Sequence, residues 1–136
     1  MNTELSKELV RSPAFRWMPG MLAGMQNDEG EVVVWMRLVS VRRSLVTAAV
    51  DRYESAHPRA FTFERANWDE TPPLLDLNDP ATVGCLLALL RERAEGVVVT
   101  HKVDFVAVNG RGIWPQMAGT FGEALAQALV AIGGER

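Results

Sequence analysis

One stretch limits the possible folds of this chain more than any other: residues 76–96, DLNDPATVGCLLALLRERAEG. Asn78 or Asp79 can accept hydrogen bonds from the first free backbone N–H groups, and Pro80 then stands at the first helical position, where its missing donor is not needed. Val83, Leu86, Leu87, Leu90 and Ala94 recur at the spacing of one buried helical face. Cys85 and Leu89 widen that face beyond a simple stripe, so the helix is expected to be covered on more than one side. Arg91, Glu92, Arg93 and Glu95 make its wet end, and Gly96 is expected to supply a left-handed stop.

After Gly96 the apolar pattern changes from helical spacing to period two. Residues 97–101 and 103–108 read as strands, Asn109-Gly110 as a type I′ hairpin pair, and residues 113–117 as a third strand. Pro115 lacks a ladder donor, which places that third strand at a sheet edge. Thr120 and Glu123 spell a capping box before a last helix whose apolar line is Phe121, Leu125, Ala128, Leu129 and Ile132, ended by Gly133-Gly134. The C-terminal half is therefore α-β-β-β-α, with helices sharing one face of an antiparallel sheet.

The N-terminal half is less regular. Residues 3–11 suit a short helix closed before Pro13. Residues 15–25 combine apolar side chains with Pro19, Gly20 and Gly24, and are expected to form a buried loop or broken turn in which Met18, Met21 and Met25 fill gaps. Residues 26–30 make a turn before a strand at 31–39, whose Val32, Val34, Met36 and Leu38 face the core. Residues 41–54 are ambiguous: Leu45, Ala48, Ala49, Arg52 and Tyr53 fit helical spacing, while Val39, Val41 and Leu45-Val46-Thr47 also suit a strand, and helix is the favoured reading. Residues 61–63 read as a short strand, and 67–73 as a loop. The sum is an α+β domain, an antiparallel sheet with helices packed on it. With 136 residues it is expected to be one domain, residues 1–75 forming one half and 76–136 the other.

Apolar residues at 48% and charged residues at 23% match a soluble globular protein. The formal charge of −3 gives no broad attraction to phosphate or anionic lipid. No apolar run reaches the roughly 18 residues needed to span a bilayer, and the N-terminus has no signal-peptide core. With one cysteine there is no intramolecular disulfide, and a cytosolic setting is expected.

Two segments, FRWMPGM at 15–21 and DLNDPATVGCLLALLR at 76–91, resemble small proteins of unknown function encoded by bacteriophages and prophages, with EALAQAL at 123–129 a looser match. Together they cover about a quarter of the chain. The resemblance implies a phage accessory protein acting in a bacterial cytoplasm, and brings no catalytic residue. The α-β-β-β-α order is also similar to that of the double-stranded-RNA-binding domain. That family grips phosphates with lysines at the start of its last helix, where this chain has Thr120, Phe121, Gly122 and Glu123, so the cations needed for such binding are missing.

Catalytic and metal signatures are sparse. His57, His101 and Cys85 lack metal-ligand spacing, and there is no phosphate-binding loop or nucleophile elbow, so no cofactor or metal is expected. Asp69, Glu70, Asp76 and Asp79 gather near the start of the main helix, where turn and cap roles explain them. Four tryptophans exceed what a core of this size needs. Trp17 and Trp35 read as internal. Trp68 and Trp114, beside charge or proline, read as exposed anchors for a protein partner, with Arg42, Arg43, Arg65 and Arg111 as flanking cations.

The leading expectation is thus a non-enzymatic protein that binds another protein, such as a host defence or regulatory component, with self-association through the edge near Ile113 as a related option. One alternative is a small enzyme or ligand binder with a pocket near His101 and Asp104 that includes Asp69 and Glu70. Another is nucleic-acid binding through an arginine patch of Arg42, Arg43 and Arg65.

Overall fold

The computed structural model describes residues 3–27, 29–43, 45–53, 60–64, 68 and 72–134. The chain forms an α+β structure divided into two compact units, one made of residues 17–76 and the other of residues 1–16 with 77–136.

The 17–76 unit is built on strands β1 (Leu22–Gln26), β2 (Val32–Val41), β3 (Leu45–Tyr53), β4 (Ala60–Glu64) and β5 (Leu74–Leu75), in the antiparallel order β4-β3-β2-β1-β5. β1 corrects the expected loop at 15–25. The break is confined to Pro19-Gly20, where Gly20 turns at φ +97° and its N–H bonds to Leu38 O at 2.8 Å, leaving the residues that follow free to pair with β2. The 26–30 turn forms as expected, with Asn27 Oδ1 accepting from the N–H groups of Glu29 and Glu31 and Gly30 left-handed at +82°.

Met36 and Leu38 of β2 are buried as the alternation requires. Trp35, on the opposite face, is buried too: its register partner is Gly24, and a Cβ there would come within 2.7 Å of the indole ring. The helix expected over 41–54 is instead strand β3. Its helical spacing was coincidental, because Val46 and Ala48 are fully buried while Leu45 is exposed, a period of two that pairing on both edges enforces. The strand expected at 61–63 is present as β4.

The second unit carries helices α1 (Thr3–Val10), α2 (Pro80–Arg93) and α3 (Phe121–Gly134), with strands β6 (Glu95–His101), β7 (Val106–Arg111) and β8 (Ile113–Ala118) in the order β6-β7-β8. From residue 80 onward this is the α-β-β-β-α order anticipated. Asp79 caps α2 by accepting from Thr82 N at 2.9 Å, and Pro80 opens the helix. The buried line is Thr82, Leu86, Leu89 and Leu90, whereas Val83 and Leu87 are half-buried, so the covered stripe is rotated from the expected one. Gly96 is left-handed at φ +63°, but it lies inside β6 and not at the helix end: Ala94 is the extended C-cap.

α3 lies against β7 and β8, and both α1 and α2 lie against α3. Glycine permits two of these approaches, since a Cβ on Gly122 would strike the Leu77 carbonyl and one on Gly133 would strike the Ser12 hydroxyl. α3 ends at Gly134, at the glycine pair expected to close it, and Gly133 serves as a point of close approach as well. Thr120 Oγ1 accepts from Glu123 N at 3.2 Å, and the Glu123 carboxylate receives the threonine hydroxyl at 3.3 Å, a variant of the expected capping box. The β7–β8 turn also moves. Gly110 pairs with Ile113 and has no positive φ, while Gly112 is left-handed at +82°, so the loop is Arg111-Gly112 and not a type I′ Asn109-Gly110.

Candidate functional site

The three-stranded sheet has two unlike faces. Val106 and Val108 point into the unit, with Val99 and His101 opposite them in register, and the His101 ring meets the edge of Phe121 at 5.5 Å. The other face carries Val98 and Thr100 from β6, Ala107 and Asn109 from β7, and Met117 from β8, since Thr100, Ala107 and Met117 form one cross-strand row and Val98 faces Asn109 in the next. None of these five is charged.

This outer face is open. Val98 is 56% and Met117 61% exposed, and at the β6–β7 turn Phe105 is 36% exposed and Val103 completely so. Charge is kept to the two ends. At one, Arg111 bonds to Glu95 at 3.3 Å with both side chains in solvent; at the other stand exposed Lys102 and Asp104. An apolar centre with a charged rim is the anatomy of a protein-binding surface. Its signal in the sequence is Val97-Val98-Val99, where apolar residues occupy both faces of one strand although, among the described residues of its unit, helices pack on one face only.

The anticipated anchors fare differently. Trp68 is only 3% exposed and packs edge-to-face on Trp17 at 5.0 Å, so it is an internal residue and not an exposed anchor: a flanking charge in sequence says nothing about what the indole packs on. Trp114 belongs to β8, but its side chain lies outside the described residues, as does Arg65. Arg42 and Arg43 are exposed between β2 and β3, in the 17–76 unit, where Arg42 N bonds to Leu45 O at 2.9 Å. Arg111 stands at the rim of the open face.

The alternative pocket gains no geometry. His101 and Asp104 are both exposed, while Asp69, Glu70 and His57 lie outside the described residues. Cys85 is half-buried. Among the described residues no three histidine, cysteine or carboxylate side chains gather as a metal site, and no helix is long and apolar enough to cross a membrane. A shallow groove of about 370 Å³ runs between α1 and the end of α3, lined by Glu8, Arg11, Pro13, Val130 and Gly133. No protein-family model, curated protein or solved structure matches the chain.

Proposed function

We propose that this protein acts by binding another protein through the outer face of the β6-β7-β8 sheet, without a reaction of its own. The observation that carries this reading is the uncharged, solvent-open patch centred on Thr100, Ala107 and Met117, with Val98, Phe105 and Val103 around it. Burying exposed apolar area of this kind is worth about 25 cal/mol per Å², and nothing within the sheet's own unit needs Met117 or Val103 to face water. The resemblance of residues 15–21 and 76–91 to phage-encoded proteins supports a phage accessory role in a bacterial cytoplasm, with a host defence or regulatory protein as the target class.

The test uses the full chain as bait in a bacterial host lysate, beside a Val103→Glu/Met117→Glu variant. Both sites are well exposed, so the fold is retained and thermal unfolding should shift by no more than about 0.5 kcal/mol. The expected result is a partner held by the wild type and lost by the variant, and held again when both proteins are purified. A partner bound equally by both chains would move the interface off this face; no partner in any candidate host would end the reading.

A further inference from the structure

The two edges of the three-stranded sheet differ in a way that points to a second copy of this chain. β8 contains Pro115, which has no N–H and interrupts any ladder formed on that edge. β6 carries no proline from Glu95 to His101 and among the described residues pairs only with β7, so its other edge presents open backbone donors and acceptors. The edge expected to self-associate from sequence, near Ile113, is thus the protected one.

The register along β6 decides what that free edge can accept. Glu95 faces Arg111 and Val98 faces Asn109, so three steps on β6 match two on β7: one residue is extra, at the left-handed Gly96. The bulge puts Glu95 on the same outer face as Val98 and Thr100. Beyond the strand, Lys102 N bonds to Phe105 O at 2.8 Å, which continues the register and adds Lys102 to that face. The outer positions therefore run Glu95, Val98, Thr100, Lys102, with an acid at one end, a base at the other and β-branched residues between.

We propose that two copies pair antiparallel along β6 about a two-fold axis at Val99, joining their sheets into one of six strands. This register sets Val98 against Thr100 of the second copy and Glu95 against its Lys102, each twice. Shifting the axis to Val98 or Thr100 leaves a charged end unmatched, and parallel pairing along this edge turns the second copy's outer face to the opposite side of the sheet, so no charged pair forms. Charge complementarity selects both the orientation and the register. The inference does not rest on the binding of a host protein, and its assays contain no other protein.

Sedimentation of the full chain across about a hundredfold range of concentration should show a monomer–dimer equilibrium. Glu95→Lys should weaken it by about 3–30-fold, as should Lys102→Glu, and the double exchange should restore it; these side chains are in solvent and the exposed Glu95–Arg111 pair adds little to stability, so the fold is retained. Val99→Cys in a Cys85→Ser background should give a covalent dimer under mild oxidation, because the two thiols meet at the axis, while Met117→Cys in that background should not. A monomer at every concentration, dimerisation indifferent to the charge exchange, or cross-linking through Met117→Cys would each overturn the proposal.

Discussion

The two sheets of this protein use similar strands to opposite ends. β2 and β6 are both rich in valine, and neither shows clean alternation of apolar and polar residues. In the five-stranded sheet both faces of the centre are closed: Ala23 and Met36, paired on one side, are fully buried, and Leu22, Gly24 and Trp35 are buried on the other. In the three-stranded sheet one face lies under helices and the other, with the same kind of side chains, is left in water. A continuous apolar strand thus has two meanings, a core sheet or an unfilled interface, and only the residues opposite it tell them apart.

Truncating a methionine in each sheet measures this difference directly. Met36→Ala should cost about 2–5 kcal/mol in urea unfolding, whereas Met117→Ala should stay within about 0.5 kcal/mol. Equal losses would mean that the outer face of the small sheet is covered after all. Gly24→Ala is the next largest effect. The new methyl group would press on the Trp35 ring in a closed interior, for an expected loss of about 1–3 kcal/mol, and a neutral result would show that the ring has room to move.

The parts of the fold legible in the sequence are those whose signals are local. The caps of α2 and α3, the turn at 26–30 and the meander all follow from side chains acting on backbone within a few residues. β3 is only half legible, because Leu45, Ala48 and Ala49 satisfy helical spacing as well as Val46 and Ala48 satisfy alternation, and the pairing on its two edges decides between them. The turn expected at Asn109-Gly110 lies at Arg111-Gly112 for a related reason. Glycine can mark a left-handed turn or a close approach, and Gly133 serves the second, with its partner Ser12 far away in sequence. The open face was half legible: the valine run was visible, but its lack of a cover was not. The anchor role of Trp68 failed because burial by Trp17 is a long-range contact.

The capping of α3 tests how much the helical side of the small sheet depends on local signals. Thr120→Ala removes the acceptor for Glu123 N and should cost about 1 kcal/mol, read as a lowered unfolding midpoint. Because α3 covers β7 and β8 from within, the loss should appear as global unfolding, with hydrogen exchange in β7 accelerating in step. Acceleration confined to the first turn of α3 would show that the sheet holds together without that cap.

The smallest effect concerns why residues 1–16 join the 77–136 unit and not the strands that follow them directly in the chain. Arg16 grips Glu92 at the end of α2 with two hydrogen bonds of 2.7 Å, and Arg93 donates to Pro13 O at 3.1 Å. The paired hydrogen bonds hold the Glu92 carboxyl below its ordinary range and the Arg16 guanidinium above its own. Since the folded carboxyl is the stronger acid, its stabilisation is complete above the ordinary glutamate range and is lost as pH falls through the depressed value. Both side chains are about half exposed, so solvent and salt screen the pair, and apolar contacts of α1 on α3 carry most of the attachment. Glu92→Gln should therefore lower the urea midpoint slightly at neutral pH and low salt, and the wild-type and variant curves should converge on acidification. A gap that widened toward acid would reverse the sign and show that Glu92 is held in its neutral form.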